Sequence, residues 1–431
     1  MLERIFALRA HGTTVRTEML AGLTTFLTMA YIAFVNPEIL GAAGVPKEAA
    51  FVATCLAAAF GSLLMAFLAN APVAIAPGMG LNAFFAYVVV VQMHYTWQAA
   101  LGCVFLSGCL FILVTVTGVR EAVVGGVPRS LRIAITAGIG LFLAIIALKS
   151  AGLIAASPAT FVTLGDLHAP GVILAVLGFL CVAGLSARGF SGALLTAILA
   201  VTALSFLFAG NVFRGVFAAP PSLAPTLFAL DIRGALAGGL VNVILVFFLV
   251  ELFDATGTLI AVARRVGLTP EQGNGRLGRA LLADSLAIPV GALLGTSSPT
   301  AYLESAAGAA AGGRTGLTAV TVAALFLLCL FFAPLAGAAP PYATAPALLY
   351  VACLMLRDIA ELDWDDVTEW APACVAALAM PFTYSIANGV AFGFICYAAL
   401  KLVTGRAREA KPVVWVVAAL FLLRYALMPA G

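Results

Sequence analysis

The chain has 431 residues, of which 63% are hydrophobic and only 10% are charged, and its net charge at pH 7 is +3. Soluble domains carry about 25% charged residues, so this composition excludes a water-soluble globule, and the small net charge gives no indication of a nucleic-acid partner. Apolar stretches long enough to cross a hydrocarbon core of about 30 Å recur from residue 19 to residue 428. The sequence therefore predicts a multi-pass membrane protein built from helices.

Cysteine and histidine give no indication of a disulfide framework or a metal centre. The eight cysteines lie within apolar segments without a C-x-x-C pair, and His11, His94 and His168 lie outside the predicted spans. We therefore predict no metal site and no cofactor.

Fourteen apolar spans are predicted, near 19–36, 50–69, 73–91, 97–117, 130–148, 170–187, 191–209, 238–262, 280–294, 297–310, 315–336, 341–356, 370–386 and 388–403. With a cytoplasmic N-terminus, most of the 22 Lys and Arg residues fall in cytoplasmic segments, and the outer loops hold Lys47, Lys149, Arg214 and Arg233. Because short cytoplasmic loops are rich in Lys and Arg, this orientation and an even number of spans are favoured. A further apolar stretch at 412–428 is either an additional span or an interfacial helix.

The third and tenth spans are interrupted. Residues 76–82 (APGMGLN) and 295–304 (GTSSPTAYLE) break at proline and small residues, and in each a polar side chain, Asn82 or Glu304, follows five residues after a proline. Both spans are third in a set of seven, and two consecutive sets of seven run in opposite directions. Interrupted helices in such inverted repeats meet at a midplane substrate site. We therefore predict a 7+7 inverted repeat with its substrate site at these two spans.

Four acidic residues lie within or against apolar spans: Glu251, Asp254, Asp284 and Glu304. A carboxylate at mid-bilayer costs about 2.5–3.5 kcal/mol, so each is a candidate functional residue. Glu251 and Asp254 are three apart and share a helix face. Asp284 lies near the basic loop of Arg276 and Arg279, where a structural ion pair or a cap is its favoured role.

These groups suit a planar heterocycle with several N–H donors. An ionised carboxylate accepts two neighbouring N–H bonds, and backbone N–H groups at half-helix starts donate to ring carbonyls or nitrogens. Desolvated carboxylates also hold a proton more readily, which makes them candidates for proton transport. Phe84, Phe85, Phe253 and Tyr302 lie beside these positions and either stack on a ring or pack in the core, with packing favoured for each.

Four motifs, in order along the chain, resemble those of a known family. They are LAGLTTFLTMAYI at 20–32 with Asn36-Pro37, APGMGLNAFF at 76–85, ELFDATGTL at 251–259 and GTSSPTAYLESAAGAAAGGRTGLTAV at 295–320. The chain resembles the azaguanine-like branch (adenine, guanine and hypoxanthine permeases) of the xanthine/uracil permease superfamily, the nucleobase–ascorbate transporters.

This resemblance implies an all-α polytopic fold of about 14 transmembrane segments in a 7+7 inverted repeat, with short antiparallel strands in the discontinuous segments 3 and 10. It also implies a core domain and a gate domain. The core comprises 1–118 and 235–337, the gate comprises 119–234 and 338–404, and 405–431 is a C-terminal extension with an extra apolar segment.

The resemblance also assigns candidate site residues. The acidic residue of the family's eighth span precedes Gly-x-Leu by three positions, which selects Asp254 over Glu251, and the other family positions fall on Glu304 and Asn82. With Phe253 and Ser298, these are the candidate substrate-binding residues, and Asp254 and Glu304 are the candidates for proton coupling. At Thr258 the uracil permeases have a histidine, so this position fits the purine branch and leaves the proton relay open.

The sequence thus predicts a secondary active transporter, not an enzyme, that imports adenine, guanine or hypoxanthine together with a proton. We expect an elevator-like or rocking motion of core against gate, a homodimer, and a place in the cell membrane with the N-terminus in the cytoplasm. A uracil/xanthine permease is the main alternative. An anion carrier of the same fold is disfavoured because carboxylates on facing spans repel an anion, and an intramembrane hydrolase is disfavoured because no protease signature or nucleophile elbow is present.

Overall fold

The structure is a computed structural model that describes residues 2–118, 120, 126–213, 215–237, 241–265 and 275–427. Within 241–265 it describes the whole backbone and the side chains of 243–252, 255, 258, 259 and 262. These residues form helices, four short strands and the loops between them.

The first half of the chain contains α1 Leu2–Phe6, α2 Val15–Met29, α3 Ile32–Ala42, α4 Lys47–Ala69, β1 Ile75–Pro77, α5 Met79–Ala83, a π-helix Phe84–Gln92, α6 Trp97–Val116, α7 Arg129–Ser150, β2 Ile154–Ser157, β3 Phe161–Leu164, α8 Pro170–Ala187 and α9 Ala193–Phe208. The second half contains α10 Ile232–Leu236, α11 Val241–Arg265, α12 Arg276–Leu294, β4 Pro299–Ala301, α13 Ser305–Ala310, α14 Gly316–Cys329, α15 Ala333–Gly337, α16 Pro341–Leu356, α17 Val367–Phe382, α18 Ile386–Val403 and α19 Pro412–Leu427.

The helices fall where the hydropathy pattern predicts membrane spans. Each of the fourteen predicted spans coincides with a helix, a broken helix or a strand–helix segment. Among the described residues, nine helical segments are long and apolar enough to cross a membrane, and shorter apolar helices account for further spans. The prediction of an α-helical polytopic membrane protein is confirmed.

By backbone packing, the chain divides into two compact units. The larger unit comprises Met1–Val116 and Leu148–Ala347, and the smaller unit comprises Thr117–Ala147 and Leu348–Gly431. Compactness does not test which segments move together during transport. The predicted core and gate boundaries therefore remain a prediction.

The two interrupted segments meet in the larger unit. β1 pairs antiparallel with β4, with Ile75 opposite Ala301 and Pro77 opposite Pro299. Proline has no N–H to donate to a strand ladder, so the two prolines at matching ends limit the ladder to three residues. At Gly78 a Cβ would lie 2.9 Å from the Thr300 Cγ2 atom, so only glycine allows the two segments to approach this closely. The predicted short strands in the third and tenth spans are therefore present.

Side chains satisfy the outward-facing backbone groups of this small sheet. The Ser62 hydroxyl lies 3.2 Å from the Ile75 nitrogen and 3.3 Å from the Ile75 oxygen, and the Ala74 N–H donates to the Ser305 hydroxyl over 3.0 Å. The Asp284 carboxylate accepts from the Ala301 N–H over 3.0 Å. In a membrane core an unpaired backbone group costs several kcal/mol, so extended chain is stable here only because these partners surround it.

The apolar stretch after residue 411 forms a helix in the smaller unit. α19 packs against α18 and buries Val414, Val417, Ala418 and Phe421. Its other face exposes large apolar side chains, among them Leu420 and Leu423. The C-terminal extension is therefore an additional packed helix with an apolar outer surface.

Candidate functional site

We call residues 75–83 and 296–310, which include the paired strands and the short helices α5 and α13, the strand crossing. Helix α11 packs against β4 and against both short helices, and α13 packs against α2. Two helices distant in sequence, α2 and α11, therefore pack against the crossing within the larger unit. This is the place where the sequence predicts the substrate site.

Glu304 lies in the turn between β4 and α13, and its side chain is half-buried. Its Oε1 atom accepts a hydrogen bond of 3.0 Å from the hydroxyl of Tyr31, which is 1% exposed. The backbone N–H groups of residues 305–307 donate to the carbonyls of residues 302–304. Because these amides already close a turn, the polar group that the turn itself presents is the carboxylate.

Asn82 lies in α5, one turn beyond Gly78, whose carbonyl accepts its backbone N–H over 2.9 Å. Its side chain is 0% exposed, and neither its Oδ1 nor its Nδ2 atom has a hydrogen-bond partner among the described residues. Each such unpaired buried group costs about 1–3 kcal/mol. Two residues later the chain continues as a nine-residue π-helix, a rare conformation that occurs frequently at functional sites.

Two hydroxyl groups of the tenth span are also buried without a hydrogen-bond partner among the described residues. Ser297 and Thr300 are buried, and within the described part of the chain their hydroxyls have no hydrogen-bond partner. Thr296 beside them is held by the Asn36 amide, whose Nδ2 atom donates to the hydroxyls of Thr296 over 2.9 Å and Thr54 over 2.7 Å. The crossing thus concentrates unpaired polar atoms in the interior of the larger unit.

Ser298 donates a short hydrogen bond to the Oε1 atom of Glu251, which is 1% exposed. The structure therefore brings the tenth span together with the acidic residue of α11 that the family pattern did not select. The side chains of Asp254 and Phe253, the selected residues on that helix, lie outside the described residues. The Ser298–Glu251 contact could not be predicted from the sequence. Asp254 was selected over Glu251 by spacing along a single helix, and spacing within one helix does not reveal a contact with another span.

The remaining candidates have structural contacts. Asp284, fully buried, accepts a hydrogen bond from the Ala301 N–H of β4, which is a structural contact. Tyr302 donates to the Pro77 carbonyl over 2.6 Å and so joins the two strands. Phe84 packs edge-on against Phe247 with ring centroids 5.0 Å apart, and Phe85 is 0% exposed. These aromatic rings pack in the core.

The sequence analysis missed one buried acidic residue, Glu18 in the first turn of α2. Its carboxylate, 0% exposed, accepts from the backbone N–H groups of Arg314, Thr315 and Thr318 and from the Thr318 hydroxyl over 2.6–3.2 Å. It thereby caps the start of α14, just after α13. Glu18 lies three residues after the start of a helix and near Arg16, a position that does not indicate burial. Its hydrogen-bond partners are about 300 positions away in the sequence.

Within the described ranges, no group of three or more His, Cys, Asp or Glu side chains is arranged to hold a metal ion. The groups at the crossing are instead carboxylates, hydroxyls and one amide. They are hydrogen-bonding groups for a small polar molecule.

Comparison with known proteins agrees with this arrangement. The model of a permease family, Xan_ur_permease, matches residues 16–392. The chain belongs to this permease family. The permease is 49% identical over 425 residues to the adenine permease AdeP of Escherichia coli (strain K12), covering 98% of this chain and 96% of AdeP. It is 45% identical over 429 residues to the guanine/hypoxanthine permease PbuO of Bacillus subtilis (strain 168), covering 97% and 99% of the two chains.

Among solved structures, the transmembrane domain of the cyanobacterial bicarbonate transporter BicA is similar to the permease with a TM-score of 0.64. The alignment covers 86% of this chain and 96% of that domain at 17% identity. At this identity the likeness concerns the fold alone. Family and fold together show a multi-pass membrane transporter and not an enzyme, as the sequence predicts.

Proposed function

We propose that the permease is a secondary active transporter that imports purine nucleobases. The observation that carries the proposal is Asn82, whose fully buried amide is unpaired on both its donor and its acceptor side among the described residues. A buried amide of this kind requires a partner with complementary groups. The names of the adenine and guanine/hypoxanthine relatives support a purine as that partner.

The chemistry of the crossing suits a purine edge. An amide presents a donor and an acceptor side by side, and a purine edge presents an acceptor ring nitrogen beside an N–H or carbonyl group. The Glu304 carboxylate, in the other half of the crossing, accepts N–H groups when it is ionised. Adenine and guanine differ in donor pattern, and an amide can meet either.

Proton coupling is part of the same proposal. We propose that Glu304 and Asp254 are the titratable groups that take up the proton, because a carboxylate with a bound base and one without it differ in proton affinity. A proton taken up with the base neutralises the carboxylate during crossing and lowers the cost of moving charge through the membrane. We further propose that the core, residues 1–118 and 235–337, carries the base by an elevator-like or rocking motion against the gate.

Uptake measurements test the proposal. Cells without nucleobase permeases of their own, expressing this chain, are supplied with radiolabelled adenine, guanine, hypoxanthine or uracil, with and without a protonophore. We expect uptake of at least one purine that collapses with the proton gradient. Uptake of uracil alone contradicts the purine proposal, and purine uptake that persists without the gradient contradicts proton coupling. Sulfate or bicarbonate transport without base uptake would identify an anion carrier.

Site variants test the residues. Glu304→Gln keeps the size of the side chain and removes its charge, and Asp254→Asn does the same on α11. We expect each to reduce uptake by at least tenfold while the amount of protein in the membrane is unchanged. Glu38→Gln, which removes the partner of the exposed Lys47, is the matched control and is expected to transport normally. Normal uptake by both site variants would refute the assignment.

Topology and assembly complete the proposal. The distribution of Lys and Arg supports a cytoplasmic N-terminus, and we propose a homodimer. A pH-sensitive fluorescent protein fused to the N-terminus reports its compartment, since an external pH change quenches it only from outside. Cross-linking in native membranes followed by mass measurement distinguishes a dimer from a monomer.

A further inference from the structure

Tyr31 lies at a break in the first span, between α2, which ends at Met29, and α3, which begins at Ile32. Its side chain is 1% exposed, and its hydroxyl donates to the Oε1 atom of Glu304 over 3.0 Å. The two residues are 273 positions apart in sequence. The hydroxyl of a buried tyrosine therefore donates a hydrogen bond to the carboxylate of the tenth span.

The backbone fixes this geometry. α13, which begins directly after Glu304, packs flush against α2: a Cβ on Gly308 would overlap the Thr25 hydroxyl and lie 2.6 Å from the Ala21 carbonyl oxygen. The helix that leads to Tyr31 and the helix that follows Glu304 are therefore in direct contact. Because main-chain packing sets their separation, the phenol and the carboxylate meet without rearrangement of long, flexible side chains.

A phenol that donates to a carboxylate restricts it. The bond occupies one acceptor direction of Oε1 and fixes rotation about the last side-chain torsion, which is otherwise broad for glutamate. Hydrogen bonds to a charged acceptor are about twice as strong as neutral ones. A carboxylate oriented in advance loses less entropy when it binds a ligand than one that rotates freely.

We propose that Tyr31 is a positioning residue of the transport site: through its hydrogen bond it orients the Glu304 carboxylate for the N–H groups of the base. The proposal rests on the function proposed above. Tyr31 acts through Glu304 and does not itself need to touch the base. Removing its hydroxyl should therefore matter only while Glu304 can accept the bond as a carboxylate.

A double-mutant cycle on purified protein tests this coupling. Binding of a radiolabelled purine is measured for the native chain, Tyr31→Phe, Glu304→Gln and the double variant. We expect Tyr31→Phe to weaken binding about tenfold in the native background and less than about twofold in the Glu304→Gln background. An equal loss in both backgrounds, or no loss in the native background, overturns the proposal.

The matched control is a phenol–carboxylate pair in the smaller unit. Tyr397 donates to Glu369 over 2.9 Å, a bond of the same kind and length. Tyr397→Phe should leave purine binding within about twofold of the native value. If it weakens binding as much as Tyr31→Phe does, the effect reflects a general loss of packing and the proposal is wrong.

A measurement without ligand separates this inference from the proposed function. Infrared difference spectra identify the carboxyl band that Glu304→Gln removes. We expect Tyr31→Phe to shift that band and Tyr397→Phe to leave it in place, whatever the protein transports. If the band shifts but the chain binds no purine, the proposed function is refuted, while the hydrogen bond between Tyr31 and Glu304 is supported. An unshifted band refutes the positioning role, even if purine uptake is normal.

Discussion

Two buried polar regions lie a few residues apart in the larger unit and differ in how well they are paired. In the turn that leads into α14, the Glu18 carboxylate accepts from three backbone N–H groups and a hydroxyl, and the Arg314 guanidinium donates to the carbonyls of Ala309 and Gly313. At the strand crossing, the side chains of Asn82, Ser297 and Thr300 have polar atoms with no partner among the described residues.

We propose that this difference separates a structural region from the binding region. A fully paired buried carboxylate stabilises the fold it joins, since its partners lose their bonds if it is removed. Unpaired buried groups raise the energy of the folded chain and are retained where a ligand or water completes them. Substitutions in the first region should therefore reduce stability, and substitutions in the second should reduce binding.

The largest effect is expected for Glu18→Ala. It leaves the backbone N–H groups of Arg314 and Thr315 without their carboxylate acceptor and removes one of the two acceptors of the Thr318 N–H, which should lower the free energy of unfolding by about 3 kcal/mol or more. The measurement is the melting temperature of detergent-solubilised protein together with its yield. Glu18→Gln is the control, because its amide oxygen still accepts, and it should lose less. A melting temperature that Glu18→Ala leaves unchanged would show that the paired region does not support the fold.

Asn82→Leu should give the opposite pattern. An apolar side chain of similar size removes two unpaired polar atoms, so stability should stay the same or rise. Purine binding should weaken by about 2 kcal/mol, which is about thirtyfold.

Asn36 is the matched control for Asn82, because it is an equally buried amide whose Oδ1 atom is also unpaired among the described residues but whose Nδ2 atom is bonded to Thr54 and Thr296. Asn36→Leu should lower the melting temperature. If both variants lose stability alike, the unpaired state of Asn82 has no bearing on its role.

Gly308→Ala tests whether the packing between α2 and α13 matters to both regions. The added Cβ would lie 2.6 Å from the Ala21 carbonyl oxygen, so one helix must shift, at a cost of about 1 kcal/mol or more. Because α13 begins directly after Glu304, binding should weaken together with stability. Gly184→Ala in α8 adds a methyl group with no atom within 4 Å and should be neutral or slightly stabilising. Equal behaviour of the two variants would exclude close packing at Gly308.

The sequence predicted the fold far better than the contacts of the site. Hydropathy placed the spans, and Pro77 and Pro299 marked the interrupted segments, because chain breaks and apolar length are local properties. Tyr31–Glu304 and Glu18–Thr318 join residues about 270 and 300 positions apart, and no spacing rule along one helix reveals such pairs. Asn82 was predicted as a site residue, but only the structure shows that its amide is unpaired.

The smallest effect is expected at a paired cluster on the surface of the smaller unit. Hydrogen bonds from Thr368, followed by the hydrogen bond and charge of Arg406, lower the pKa of Asp366 to about 2. Hydrogen bonds from Arg406 and Lys401 lower the pKa of Glu409 to about 2. Both values are lower than in the unfolded chain. The stabilisation is therefore complete above the ordinary carboxyl range near pH 4 and is lost as the pH falls towards 2.

Arg406→Gln makes that dependence measurable. Its melting temperature should be slightly below the native value from pH 5 to pH 8, because exposed ion pairs contribute little. The difference should shrink as the pH falls below about 4, where the unfolded carboxyl groups take up protons. Purine binding at pH 7 should be unchanged, since this cluster is fully paired and lies outside the strand crossing. If the difference in melting temperature grows towards low pH, Arg406 does not stabilise the ionised carboxyl groups. If Arg406→Gln weakens purine binding, pairing alone does not separate structural from binding regions.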